Sequence, residues 1–88
     1  MVQKKKQKTK FEIAVMEIIR DLRYEKEYTQ DEMAELMGVT RGFIGQVESL
    51  NSDSTYSLNH LNKLAYELKC PLADLLPKKP VVESDWKK

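Results

Sequence analysis

Apolar residues in the first third of the chain recur at helical spacing. They form one stripe that consists of Phe11, Val15, Ile18, Ile19 and Leu22. Spacings of three and four residues place such side chains on one face of a helix. No glycine or proline interrupts the segment, so the pattern predicts a helix from Lys10 to about Lys26. Ile13 and Met16 fall on the opposite side, either as incidental exposed residues or as part of a subunit contact.

Residues 29–48 contain the signals of two short helices joined by a tight turn. Thr29 and Glu32 have the spacing of a capping box, in which each side chain bonds the backbone amide of the other residue. Gly38 stands where a helix commonly ends in a left-handed conformation, and Thr40 can cap a following helix. The segment therefore predicts a helix-turn-helix.

The second of these helices, at residues 41–48, has an outer face without the usual pattern of charges. Ile44 and Val47 point inward. The opposite face consists of Arg41, Gly42, Gly45 and Gln46, with Phe43 at its flank. Two glycines cost a short helix roughly 1 kcal/mol each relative to alanine. Either packing tolerates them, or they let the helix backbone approach a partner surface such as a DNA groove.

A further helical pattern follows the polar, turn-forming residues 49–57. Ser57 can cap this helix. Its apolar stripe consists of Leu58, Leu61, Leu64, Ala65 and Leu68. Pro71 ends the helix and can open a short last one that runs through Leu76. Because no segment has a convincing strand pattern, the sequence predicts an all-α fold of five helices.

The formal net charge of +1 is unevenly distributed. The first ten residues contain no acid and five lysines, which are Lys4, Lys5, Lys6, Lys8 and Lys10. Residues 11–77 carry six basic and twelve acidic side chains, so the expected folded domain is acidic. Residues 1–10 are interpreted as a flexible basic arm, which either only aids solubility or reaches the phosphates of a nucleic acid.

A mostly extended tail is expected after the last helix. It contains Val81, Val82 and the only tryptophan, Trp86. These apolar side chains could dock on the folded domain or on a second subunit. The chain is therefore expected to consist of an arm, one domain and a tail, at residues 1–10, 11–77 and 78–88.

Enzymatic and membrane functions have little support in the sequence. A chain of 88 residues buries only one modest core, and no apolar run approaches the ~20 residues that span a bilayer. The N-terminus lacks an apolar signal stretch, and a single cysteine suits a reducing cytosol. His60 and Cys70 lack partners at metal-ligand spacing, and His60 is interpreted as a partly exposed surface residue. We expect a cytoplasmic protein that is not an enzyme and has no metal or cofactor.

Several short motifs follow one another in a distinctive order along residues 19–76. They are Ile19-Arg20-Asp21-Leu22-Arg23, Thr29-Gln30, Met33-Ala34, Gly38-Val39-Thr40-Arg41, Ile44-Gly45-Gln46-Val47-Glu48, the leucine stripe that starts at Leu58, and Pro71-Leu72 with Asp74-Leu75-Leu76. Together they resemble the lambda-repressor-like helix-turn-helix domains of phage repressors, Cro proteins and XRE regulators. The resemblance implies five helices, with the second across the DNA backbone and the third in the major groove. The long loop after Glu48 and the acidic domain depart from the family pattern.

The resemblance also implies which residues meet DNA. The implied base contacts are Thr40, Arg41, Gly42 and Gln46. The implied backbone contacts are Gln30, Phe43, Gly45 and Asn51, with Ser52, Ser54 and Thr55 as further candidate donors to phosphate. Arg41 can bond guanine O6 and N7, bond a phosphate, or pair with Glu48 or a neighbouring residue. Gln46 can bond adenine N6 and N7.

Two of the implied backbone contacts, Gln30 and Phe43, have alternatives. The amide of Gln30 can donate to a phosphate at the helix N-terminus, or Gln30 is an ordinary exposed residue. Phe43 could touch a thymine methyl group or a sugar, or it could cover the edge of the core. Glu48 is expected to fix the loop or helix 1 instead of reading a base.

The function expected from these features is that of a sequence-specific DNA-binding transcriptional regulator of bacterial or phage type. A single recognition helix offers few base contacts, so a homodimer on a pseudo-palindrome is expected. One alternative is a DNA-binding antitoxin whose tail, with Trp86, binds a partner protein. The other is a protein-interaction module that kept the fold without binding DNA, which the acidic domain would suit.

Overall fold

The protein is all-α in the computed structural model, which describes residues 7–86. The α-helices of this part are α1 Lys10–Glu25, α2 Gln30–Met37, α3 Arg41–Val47 and α4 Leu58–Leu68, followed by two 3₁₀ helices at Leu72–Leu75 and Ser84–Trp86. The predicted all-α class is confirmed, but the count of five α-helices is wrong, because the described residues form four. None of these helices is both long and apolar enough to cross a bilayer.

The expected fifth α-helix is a single 3₁₀ turn at Leu72–Leu75. Pro71 precedes this turn in an extended conformation, and Leu76 is extended again at φ −127° and ψ 151°. Pro77 follows directly. Because a proline bounds the segment on each side, there is room for one tight turn and no longer helix.

Local caps set the ends of the helices as the sequence predicts. Thr29 and Glu32 form a complete capping box at the start of α2, and Gly38 ends that helix at φ 73°. The hydroxyl of Thr40 accepts a hydrogen bond from the Phe43 amide at 3.1 Å and so caps α3. These caps fix the turn between α2 and α3 and therefore the angle between the two helices.

The four α-helices and the 3₁₀ helix at Leu72–Leu75 each contribute fully buried apolar side chains to one core, whereas the 3₁₀ helix at Ser84–Trp86 contributes none. The fully buried residues include Ile19, Met33, Ile44, Leu64 and Leu75. Met16, which the apolar stripe places on the outer side, is only 1% exposed. That expectation is wrong because α1 buries a second row of side chains, Met16, Ile19 and Arg23, at spacings of three and four residues. Leu58 is expected in the core stripe but is 81% exposed, because it occupies the first helical position of α4.

The C-terminal tail folds back onto the start of α1. The Glu83 carboxylate accepts hydrogen bonds from the Lys10 and Phe11 amides, each at 2.9 Å. Val81 is half-buried and lines a shallow groove with Phe11 and Trp86. Of the two alternatives for the tail, contact with the domain is therefore present, although Val82 and Trp86 remain 60% and 55% exposed. The hydrogen bonds come from Glu83, which the sequence did not single out.

Candidate nucleic-acid interface

The outer face of α3 is exposed to solvent, whereas its inner face is completely buried. Ile44 and Val47 have no exposed surface. The exposed positions are Thr40, Arg41, Gly42 and Gln46, with Gly45 half-buried between the two helices. The helical periodicity of the sequence therefore assigned the two faces of α3 correctly.

Arg41 projects from the first position of α3. Within residues 7–86 its guanidinium group makes no ion pair or hydrogen bond. The alternative in which Arg41 pairs with Glu48 is wrong, because the Glu48 carboxylate is occupied by Arg23. Arg41 therefore keeps all five N–H donors available to an external acceptor.

Glu48 forms a two-point ion pair with Arg23 of α1 behind α3. Arg23 Nη2 lies 2.7 Å from Glu48 Oε1, and Nε lies 2.9 Å from Oε2. Both side chains are only 8% exposed. The hydrogen bond to Glu48 raises the pKa of Arg23 above its ordinary value, although burial opposes the shift. The expectation that Glu48 fixes helix 1 and does not read a base agrees with this geometry.

The same carboxylate also positions Gln30 at the start of α2. Gln30 Nε2 donates to Glu48 Oε1 at 3.0 Å. Gln30 Oε1 lies beside Gly45 of α3, 3.7 Å from the place where a Cβ atom would be. Gln30 is thus held between α2 and α3, and one hydrogen of its amide group remains for another acceptor.

Gln46 is held by the loop that follows α3. The Ser54 hydroxyl donates to Gln46 Oε1 at 3.1 Å, while Ser52 Oγ accepts from the Ser54 amide at 3.1 Å. Asn51 is exposed in the same loop, and its backbone N–H donates to Ser49 Oγ at 3.1 Å. Ser54 is a candidate donor to phosphate in the sequence, but in this structure its hydroxyl orients Gln46.

Phe43 belongs to a small aromatic cluster at the flank of α3. Its ring centroid lies 5.0 Å from that of His60 and 6.2 Å from that of Tyr56. His60 Nδ1 accepts from the Ser57 amide at 2.9 Å, so His60 completes the capping box of α4. Phe43 is half-buried, so it covers the edge of the core, as one of its interpretations proposed, and the rest of its side chain remains accessible to a partner surface. The sequence signal for His60 was its spacing of three residues from Ser57.

Lys8 departs from the expected flexible arm. It is 9% exposed, and its ammonium group donates to the backbone carbonyls of Gln46, Ser49 and Ser52. Lys10 is the first residue of α1. The interpretation of these two lysines as part of a free arm is wrong, because a capped helix begins between them and Lys8 binds the domain. Lys4, Lys5 and Lys6 lie outside the described residues.

Residues 19–80 match the family model of the Cro/C1-type helix-turn-helix DNA-binding domain. The chain belongs to this family. This membership confirms the resemblance in the sequence, and the protein is a DNA-binding transcriptional regulator.

Solved structures of similar proteins support this assignment. The restriction-modification controller protein C.AhdI from Aeromonas hydrophila is 30% identical, with a TM-score of 0.63 over 73% of this chain and 94% of that one. An HTH_3 family transcriptional regulator from Vibrio cholerae is 25% identical, with a TM-score of 0.62 over 74% and 35%. The hypothetical transcription factor NHTF from Neisseria is also 25% identical, with a TM-score of 0.63 over 77% and 75%. A search of curated protein sequences gave no match.

The predicted contact residues of this Cro/C1-type domain lie on α3, the start of α2 and the loop after α3. Gln30 and Gly45 come together between α2 and α3. Gln46 joins the loop through Ser54. Arg41 stands apart from these contacts at the other end of α3. The exposed face of α3 is thus supported at one end by a buried ion pair and by a loop, and it presents Arg41 at the other.

Proposed function

We propose that this regulator places the outer face of α3 in the major groove of DNA and recognises a short base sequence there. The observation that carries the proposal is the exposed guanidinium group of Arg41, next to two glycines on a helix whose inner face is completely buried. Arg41 would bond guanine O6 and N7, because its donors fit these two acceptors. Thr40 and Gln46 would meet neighbouring bases on the same face.

The two glycines of α3 support a close approach to the duplex. A Cβ atom at Gly42 would lie 3.9 Å from its nearest neighbour, and one at Gly45 would lie 3.7 Å away. Both distances are ordinary van der Waals contacts, so packing inside the protein does not require glycine at either position. A partner surface that the helix backbone must approach closely gives glycine a purpose there.

Contacts to the DNA backbone would come from both sides of α3. Gln30, held by Glu48, would donate its remaining amide hydrogen to a phosphate at the positive end of α2. Asn51 would serve the same purpose in the loop after α3, and the edge of Phe43 would lie against a sugar. Because the domain is acidic, we assign the long-range attraction to phosphate to the arm that carries Lys4, Lys5 and Lys6.

A homodimer would supply the remaining affinity. One α3 helix offers few long polar side chains, whereas two copies double the base contacts on half-sites about 34 Å apart. The likeness to C.AhdI, of which 94% is covered, supports a regulator built around this domain. Cytoplasmic location follows if the protein acts on chromosomal or phage DNA.

In vitro selection from a random DNA library tests this proposal. We expect enrichment of two related half-sites in opposite orientation, with a guanine in each half that depends on Arg41. Sedimentation of the protein with the selected DNA should give two chains per duplex. Failure to enrich any sequence at moderate salt would overturn base recognition by α3, and enrichment of one isolated half-site would overturn the dimer.

A further inference from the structure

The ammonium group of Lys8 lies where three backbone carbonyls converge at the end of α3. Lys8 Nζ lies 3.4 Å from the Gln46 carbonyl oxygen and 2.5 Å from that of Ser49, and it also donates to the Ser52 carbonyl. An ammonium group has three N–H donors. All three are therefore used inside the protein, and Lys8 has none left for a DNA phosphate.

The position of this charge suits the end of a helix. The carbonyls of a last helical turn carry partial negative charge and lack partners within the helix. The last turn of α3 contains no basic residue of its own. Lys8, which precedes Gln46 by 38 residues, supplies the missing cation.

A short series of hydrogen bonds connects Lys8 with the side chain of Gln46. Lys8 holds the Ser52 carbonyl, and the Ser52 hydroxyl accepts from the Ser54 amide. The Ser54 hydroxyl in turn donates to Gln46 Oε1. The backbone and the side chain of Gln46 are thus both fixed by contacts to Lys8 or to the loop that Lys8 holds.

We propose that Lys8 is a positioning residue for base recognition by Gln46. By holding the loop at residues 49–54 against α3, Lys8 keeps the Ser54 hydroxyl on Gln46 Oε1. With Oε1 occupied by Ser54, exposed Gln46 is left with Nε2 as its hydrogen-bond donor to a base. Such a donor selects a base with an acceptor in the major groove, such as purine N7, guanine O6 or thymine O4. The inference rests on the proposed function, because it assigns a cause to the orientation of one base-reading side chain.

The test compares Lys8→Met with wild type on the selected DNA site and on site variants. Gln46→Ala first identifies the base pair that depends on Gln46. Lys8→Met should weaken binding to the selected site about tenfold, which is the typical effect of losing one base-pair contact. It should also remove the preference for one base at the position that depends on Gln46. The variant should keep the wild-type base preference at the position that depends on Arg41. Its binding should also depend on salt concentration as that of wild type does. Lys10→Met removes the same charge from an exposed neighbour and should leave the preference at both base pairs unchanged.

Two other variants keep the test decisive if Lys8→Met does not fold. Lys8→Arg retains the charge, but its planar group cannot converge on three carbonyls. Ser54→Ala removes only the hydroxyl that orients Gln46. Both should lose the preference at the base pair of Gln46 while keeping wild-type circular dichroism.

The results separate this inference from the proposed function. If wild type selects a site and the Lys8 and Ser54 variants retain its full preference, Lys8 has no positioning role and α3 still reads DNA. If Lys8→Met lowers the slope of log affinity against log salt by about one, Lys8 contacts a phosphate directly, which also overturns the inference. If wild type selects no site at all, the proposed function fails together with it.

Discussion

The Glu48 carboxylate at the end of α3 binds the Arg23 guanidinium of α1 through two hydrogen bonds, of 2.7 and 2.9 Å, with both side chains 8% exposed. Arg23 also donates to the Tyr28 carbonyl at 3.0 Å. Arg23 of α1 therefore connects two other parts of the fold. It binds α3 through Glu48, and it binds the loop between α1 and α2 through Tyr28. The orientation of the exposed face of α3 therefore depends on a contact on its opposite side.

Glu48→Ala should lower the free energy of unfolding by about 3–5 kcal/mol, because it leaves the buried Arg23 without a counter-charge. Urea denaturation followed by circular dichroism measures this loss. Lys63→Ala is the control, since Lys63 pairs with Glu67 at 3.0 Å on the surface and should contribute only about 0.3–0.5 kcal/mol. A loss below about 1 kcal/mol for Glu48→Ala would show that the pair does not hold the helices together.

Arg41→Ala should weaken binding to the selected site by about 1–3 kcal/mol and relax the preference at one base pair. The thermal midpoint should not change, because Arg41 has no partner within residues 7–86. Competition binding against a panel of single-base site variants makes the measurement. An equal loss on every sequence would mean that Arg41 contacts a phosphate instead of a base.

Deletion of residues 1–6 should flatten the salt dependence of DNA binding, by about 0.9 in the log–log slope for each phosphate that the arm neutralises. The deletion leaves Lys8 in place, so the loop after α3 keeps its support. Replacement of Lys4, Lys5 and Lys6 by glutamine should reproduce the effect at full chain length. With an unchanged slope, the arm would only aid solubility.

Glu83→Ala should lower the free energy of unfolding by about 1 kcal/mol, since the Lys10 and Phe11 amides lose the carboxylate that caps them. Asp85→Ala removes a neighbouring charge that makes no such contact and serves as the control. Chemical denaturation of both variants under the same conditions compares them. If the two variants are equally stable, the Glu83 carboxylate does not stabilise the start of α1.

Tyr56→Phe should leave stability unchanged or raise it by up to about 1 kcal/mol, because a buried hydroxyl without a partner costs free energy. Tyr56 Oη is buried and has no hydrogen-bond partner among the described residues, and burial raises the pKa of Tyr56. The ring contacts with Phe43 and His60 remain in the variant. Tyr66→Phe is the exposed control. A clear loss of stability would reveal a partner for this hydroxyl.

The helix-turn-helix could be predicted from the sequence because its signals are local. The capping box at Thr29, the left-handed Gly38 and the cap at Thr40 each act over three or four residues. The burial of Ile44 and Val47 follows from helical spacing alone. The assignment of Glu48 came from the family resemblance, and the structure then identified Arg23 as its partner.

The contacts that sequence reasoning missed join segments far apart in the chain. Lys8 reaches carbonyls 38 to 44 residues away, and Glu83 reaches amides 72 and 73 residues away. Neither contact has a periodic signal, and Lys8 is indistinguishable from the lysines around it. The burial of Met16 escapes the prediction because a single apolar stripe does not describe the whole buried face of α1.

The tail that docks on α1 carries an intrinsic fluorophore. Trp86 is the only tryptophan, and it lines a groove with Phe11 at the start of α1. Because Trp86 is 55% exposed beside that groove, we expect its indole fluorescence to change when the tail leaves α1, whereas circular dichroism follows the helices. Recording both signals during a denaturant titration would therefore separate release of the tail from melting of the domain, without attaching any dye.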